Sequence, residues 1–330
     1  MTPAGPWAAR SVLVTGATGL IGAWLTEELL ARGARVTALV LDEDPRSHFA
    51  RSGAARRVRS SPGALEDLAA VERAIDAAEA DTVFHLGAQT QVIAARRDPL
   101  GTFEANVRGT YNLLEACRRR ADAVKRVLVA SSDKAYGDRG SAAYTEADPL
   151  DGKNPYEVSK VCTDALARSY HHSFGLPVAV ARLGNVYGGG DLNWARLVPG
   201  AARAFLRGER FVVRSDGKLV RDYLYVKDAA AAYLALSDGL DKGVAAGQAF
   251  NFAADQPRTV LEMVEAVRRA MKVEGLPLDV RNEAVGEIPE QRLSWERAKK
   301  DLGWRPAWTL EPALAETAAW YKGLHAEGVL

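Results

Sequence analysis

The stretch Gly16-Ala17-Thr18-Gly19-Leu20-Ile21-Gly22 reads G-x-x-G-x-x-G, and it constrains the fold more than any other feature of the chain. It follows a short β-branched run, Ser11–Thr15. It opens a segment in which Leu20, Ile21, Trp24, Leu25 and Leu29 recur at helical spacing as far as Gly33, a C-terminal cap. A second strand-like run, Val36–Leu41, completes a β-α-β unit, whose parallel strands require a sheet covered by helices on both faces. Glycines at a strand-to-helix turn permit a tight bend and let backbone approach a pyrophosphate, while the helix N-terminus presents free N–H groups to the anion. Gly16, Thr18, Gly19, Leu20, Ile21 and Gly22 are therefore candidate dinucleotide contacts.

The alternation continues. Thr82–Leu86, Val127–Ala130 and Val178–Ala181 read as buried strands, with helical stretches such as Leu65–Ala80 and Pro99–Arg120 before them. The pattern predicts an α/β fold: a Rossmann-type doubly wound parallel sheet over residues 1–184, completed by parts of 225–255. From 185 to 330 the segments shorten and prolines mark the turns. Trp295, Trp304 and Trp308 read there as packing residues of a smaller C-terminal α/β lobe that binds the substrate. A length of 330 residues suits two such units.

Forty-three basic against 42 acidic side chains leave a formal charge of +1, without the basic excess that nucleic-acid binding needs. Cys117 and Cys162 are too few for a disulfide framework and lack metal-ligand spacing, so no metal site is expected. No apolar run approaches the ~18 residues of a membrane span. A cytoplasmic protein with no membrane or nucleic-acid partner is expected.

Tyr156-Glu157-Val158-Ser159-Lys160 reads Y-x-x-x-K. On a helix that spacing puts both side chains on one face, roughly 5–6 Å apart at Cβ. A lysine ammonium there would lower the phenol pKa and make the tyrosinate a usable base. The strand ending at Ser131-Ser132-Asp133-Lys134 adds a hydroxyl that can orient a substrate. For the cofactor, Val40 stands at the end of the second strand, where an acidic residue normally meets the ribose. Asp42, two positions on, can serve instead, whereas Arg46 would favour a 2′-phosphate. NAD is preferred to NADP.

As a set, several segments resemble the extended short-chain dehydrogenases/reductases that act on nucleotide sugars, the NAD-dependent epimerase/dehydratase family. They are T-G-A-T-G-L-I-G at 15–22, H-L-G-A-Q at 85–89, N-V-R-G-T at 106–110, S-S-D-K-A-Y-G at 131–137, N-P-Y-E-V-S-K at 154–160, R-L-G-N-V-Y-G at 182–188 and R-D-Y-L-Y-V-K-D at 221–228. The resemblance implies a tightly held NAD, a nucleotide diphosphate-hexose substrate and a Ser132–Tyr156–Lys160 triad. It adds Leu65, Leu86, Gly87 and Ala88 to the cofactor site, beside Tyr156 and Lys160, with Asn106 grouped there as a residue that supports the active site through its helix. It also implies Gln89, Asn185, Arg196, Arg221 and Arg292 as substrate residues, with Arg221 as a diphosphate clamp.

Asp133-Lys134 after the serine is similar to the CDP-glucose 4,6-dehydratase branch, in which both would join catalysis. A sugar 4-epimerase, which needs only the triad, is the alternative, and a non-catalytic NAD(P)-binding regulator a minor one. Finally, Pro99–Arg120 and the helix carrying Tyr156–Lys160 each show a second apolar stripe. Those stripes predict a homodimer through a four-helix interface.

Overall fold

The computed structural model describes residues 6–273, 275–283 and 287–330. Seven strands form one sheet: β1 (Ser11–Thr15), β2 (Arg35–Val40), β3 (Arg59–Pro62), β4 (Thr82–His85), β5 (Arg126–Ala130), β6 (Val178–Leu183) and β7 (Ala249–Phe252). Their spatial order is β7-β6-β5-β4-β1-β2-β3, and every neighbouring pair is parallel. The order reverses between β1 and β4. The crevice at the carboxyl ends of those two strands is where an open α/β sheet binds ligands.

Alternation along each strand sorts side chains to the two faces. Val12 and Val14 join Leu25, Leu29, Phe84 and Tyr233 in one core, while Leu13 joins Val71, Ile75, Val83, Leu113 and Val129 in the other. Helices α1 (Leu20–Ala31) and α5 (Val226–Asp241) cover the first face. The second is covered by α2 (Leu68–Ala78), by α3 (99–118) and by α4 (Pro155–Phe174). The stretch read as one helix from Pro99 holds a π-helical turn at Glu104–Arg108 between two α-helical parts. β3 has no counterpart in the sequence reading: it is a mostly exposed Arg-Ser-Ser-Pro edge strand without apolar alternation.

Past β6, short strands pair in small groups: 185–187 with 223–225, 211–213 with 278–280, and 220–221 with both 258–259 and 290–291. Helices Leu197–Leu206, Val260–Met271 and Leu310–Ala326 enclose a separate core of Tyr187, Phe205, Met263, Val267 and Tyr321. Trp308 packs against that core. Trp304 does not: it meets Phe252 of β7 edge-on at 4.9 Å and Trp295 at 5.9 Å, so two of the three tryptophans close the end of the main sheet.

Candidate active site

A cavity of about 1290 Å³ runs from the β1–α1 turn across the carboxyl ends of β4, β5 and β6 to the small lobe. At one end the turn is built from glycine for steric reasons. Gly16 has φ +71, and a Cβ on it would stand 2.6 Å from Gly87 N; one on Gly22 would stand 2.0 Å from Gly16 O. Above Gly19 there is room. No side chain caps α1, so its first N–H groups stay open to the cavity, as a pyrophosphate requires.

Thr18, Leu20, Ile21, Leu65, Leu86, Gly87 and Ala88 line the same end. At its rim stand Asp42 and a carboxylate that the sequence reading missed, Asp44. Asp44 takes Arg46 as its partner, Oδ2 to Nη2 at 2.7 Å, which holds the Asp44 carboxyl below its ordinary value. Arg46 is thereby engaged at home, and the two carboxylates at this end of the cavity suit ribose hydroxyls better than a 2′-phosphate. Two buried hydroxyls of the lining, Ser131 Oγ and Tyr233 Oη, have no partner among the described residues. Open amides, paired carboxylates and unpartnered hydroxyls fit a dinucleotide.

Asn106 does not line the cavity. It is buried inside the π-helical turn, where its Oδ1 accepts Gln89 N–H at 2.7 Å and its Nδ2 donates to Gln89 O and Ser159 Oγ, both at 2.9 Å. Grouped with the cofactor site, Asn106 is a support of the cavity and not a contact in it: it clamps the backbone of the loop that carries Ala88 and Gln89. The π-helical turn projects a side chain where an unbroken helix would not.

At the centre of the cavity lie Ser132, Asp133, Lys134, Tyr156 and Lys160. Ser132 and the 3-10 turn Asp133–Tyr136 follow β5, and α4 brings Tyr156 and Lys160 from a start made by a capping box of Asn154 and Glu157. The Ser132 hydroxyl donates to Asp133 Oδ1 at 2.9 Å. Burial pushes the Asp133 carboxyl above its ordinary value, against the pull of Lys134, Ser132 and Arg221. The Lys160 ammonium, lowered to about 8 by burial, donates to Ala130 O at 2.9 Å.

The expected depression of the Tyr156 phenol is also corrected: burial raises it, and the opposing influences are Arg196 and Ser132. Lys160 is desolvated too and spends its hydrogen bond on a carbonyl, so it does not offset the burial of the phenol.

Beyond the centre, Gln89, Asn185, Arg196 and Arg221 line the wall towards the small lobe. Arg196 reaches Asp191 Oδ2 at 3.3 Å. Arg221 is 6% exposed; it donates to Val220 O at 2.8 Å and to Glu287 Oε2 at 3.3 Å. Arg292 is the exception and is corrected as a substrate contact. Its side chain turns out of the cavity to Ser141 O and pairs with Glu290 at 2.9 Å, because on that strand its neighbour Gln291 takes the inward direction. Gln291 itself was missed. It is fully buried, its Oε1 accepting from Lys134 Nζ at 2.6 Å and its Nε2 donating to Asp133 O at 3.0 Å.

A doubly wound sheet with a glycine cradle at its switch point, and a tyrosine and lysine four apart on the neighbouring helix, defines a dinucleotide-dependent enzyme of the short-chain dehydrogenase/reductase type. Residues 12–253 match the model of the NAD dependent epimerase/dehydratase family, and the chain belongs to that family. A dTDP-glucose 4,6-dehydratase of Xanthomonas campestris pv. campestris is 32% identical, over 94% of this chain and 92% of that one. A CDP-glucose 4,6-dehydratase of Salmonella typhimurium is 29% identical, over 96% and 91%. Among solved structures, a UDP-glucose 4-epimerase of Thermotoga maritima with UDP-glucose superposes with a TM-score of 0.85 at 25% identity, covering 95% of this chain and 99% of the other. The protein is thus an NAD-dependent enzyme whose relatives are nucleotide-sugar dehydratases and epimerases. Among the described residues no helix is long and apolar enough to cross a membrane, and no cluster of side chains could hold a metal ion.

Proposed function

We propose that the protein is a nucleotide-sugar 4,6-dehydratase, converting an NDP-hexose to the NDP-4-keto-6-deoxyhexose and water, with CDP-glucose as the first substrate to try. The observation that carries this reading is the buried Asp133 carboxyl, raised by desolvation and held beside Ser132, with the Lys134 amine next to it on the cavity wall. An epimerase has no use for a proton donor there. A carboxyl that burial makes hold its proton more tightly than usual is what expulsion of a hydroxyl needs. The CDP-glucose and dTDP-glucose 4,6-dehydratases among the relatives support the same reaction.

In this reading residues 1–184, with β7, hold the cofactor, and residues 185–330 hold most of the sugar nucleotide. NAD, when bound at the glycine cradle, would supply a hydride acceptor for C4 and a donor for C6, with no net redox change. Ser132 orients the 4-hydroxyl, whose proton passes to Tyr156 as the phenol gives its own to the Lys160 amine, lowered to about 8 by burial. The 4-ketone acidifies C5–H; Lys134 Nζ takes that proton and Asp133 gives its own to the C6 oxygen, which departs as water. Lys134 then returns a proton to C5. Lys160, near its own midpoint at about 8, then releases the proton it gained, and Asp133 takes one up from solvent, which closes the cycle. Arg221, freed from Glu287, holds the diphosphate through its guanidinium fork.

Incubation of the purified protein with CDP-, dTDP-, UDP- and GDP-hexoses is expected to give a 4-keto-6-deoxy product from at least one. A C4 epimer with no keto sugar would overturn the reading. Asp133→Asn separates the two mechanisms further. Dehydration should fall ~100-fold or more, the scale of a lost general acid, whereas epimerisation would barely respond.

A further inference from the structure

Lys134 is crowded by charge. Asp133 faces it from its own turn, Arg221 from the strand 220–221, Glu287 from the segment before 290–291, and Glu157 from α4. Three of these groups are carboxylates, any of which could draw the amine into an ion pair. None does: among the described residues the hydrogen-bond partner of Lys134 Nζ is the neutral Gln291 Oε1, at 2.6 Å.

The orientation of that amide is settled by its other end. Gln291 Nε2 donates to the Asp133 carbonyl at 3.0 Å, so Oε1 must point to the lysine, since a flipped amide would oppose two donors. Its backbone is held as firmly, because Glu290–Gln291 pairs in parallel with Val220–Arg221. One fully buried side chain therefore links the Asp133–Lys134 pair to the strand that carries Arg221.

We propose that Gln291 is the positioning residue for Lys134, fixing its amine on the cavity wall through a neutral acceptor and keeping it off the surrounding carboxylates. A carboxylate in the same place would stabilise the ammonium and leave it unable to accept a proton; an amide locates the nitrogen without adding a charge. The proposal deepens the dehydratase reading and rests on it for the step that Lys134 performs, the removal of the C5 proton.

The test uses the NAD-bound enzyme as wild type, Gln291→Glu and Gln291→Leu. Acetylation of Lys134 by acetic anhydride is followed against pH by peptide mass spectrometry, beside keto-sugar formation over the same pH range. In Gln291→Glu the labelling midpoint should move up, making labelling at pH 8 about tenfold slower, one unit of pKa. The pH dependence of turnover should move with it. Gln291→Leu, which offers no acceptor, should lose kcat at least ~10-fold with KM for the sugar nucleotide little changed, the pattern of a group that orients a proton acceptor. A variant that stays folded and keeps NAD, yet shows the wild-type labelling midpoint and pH profile, overturns the proposal. A shifted midpoint in an enzyme that yields only a C4 epimer upholds the Gln291 contact and refutes the dehydratase reading, so the two failures are distinct.

Discussion

Asp222 lies between Arg221 and Tyr223 with 2% of its surface exposed, and its Oδ2 accepts Leu293 N–H at 2.6 Å. Burial, the largest influence, raises its carboxyl to about 7. A carboxyl raised on folding stabilises the native state below its unfolded value, near ~3.9, and that contribution is lost as pH rises through 7. Asp222→Asn keeps an acceptor for Leu293 and cannot ionise. It should leave stability at pH 4 unchanged and raise it by roughly 2–4 kcal/mol at pH 8, measured by denaturant unfolding. His85 acts in the opposite sense. Buried between Thr15 Oγ1 at 3.0 Å and Thr110 Oγ1 at 3.1 Å, it is lowered to about 3 by burial and by the Lys160 charge. Its contribution is complete above ~6.5 and lost as pH falls towards 3. In His85→Asn the loss of stability between pH 6.5 and 4.5 should therefore be shallower than in wild type.

Elements meet at the site through buried polar joints. Arg182 of β6 pairs with Asp164 of α4 at 2.7 and 2.9 Å and donates to Tyr136 Oη at 2.7 Å, while Tyr136 donates to Asn251 of β7 at 2.8 Å. This chain fixes the turn that displays Asp133 against two strands and a helix. Both charges of the pair are buried; Asp164 also meets Arg168 at 3.0 Å, but Arg182 has Asp164 as its acidic partner, so removing that carboxylate leaves the buried guanidinium without a counter-charge. Asp164→Asn should cost about 3–5 kcal/mol, and a double replacement, Asp164→Leu with Arg182→Met, clearly less than twice that. A double-mutant unfolding cycle measures the difference. The π-helical turn of α3 is a joint of the same kind: Asn106→Ala frees the Gln89 backbone and should weaken NAD binding about tenfold without changing the product. Equilibrium dialysis checks it.

For the whole molecule, the outer surface of α3 and α4 bears on assembly. Leu100 is 70% exposed and Tyr111 41%, with Phe103 and Val107 between them half-buried; on α4, Val158, Val161, Cys162 and Leu166 are half-buried. Except for Leu166, which packs at the edge of the second core, these residues recur at helical spacing outside that core. Leu114, Ala116 and Ala167, apolar residues of the same two helices, are fully buried in the second core and take no part in the stripes. We propose that two copies pack these stripes together about a two-fold axis. Light scattering should give twice the 35.5 kDa of one chain, and Leu100→Glu with Val107→Glu should return it to one.

What the sequence determined by itself is what depends on neighbouring residues. The glycine cradle, five of the seven strands and the Tyr156–Lys160 pair follow from runs, periods and spacings within about twenty residues, the range over which backbone sterics and helical geometry act. Ser132, Asp133 and Lys134 were legible because they end a strand that points at the switch crevice. Only the tertiary structure decided the rest. Gln291 meets Lys134 across 157 residues of chain, and no local pattern marks it. The outward turn of Arg292, the capture of Arg46 by Asp44 and the raised Tyr156 phenol depend on which side chains are buried and what they meet there. Period and propensity describe a residue against its neighbours in the chain; hydrogen-bond partners and desolvation come from packing, which joins segments the chain holds far apart.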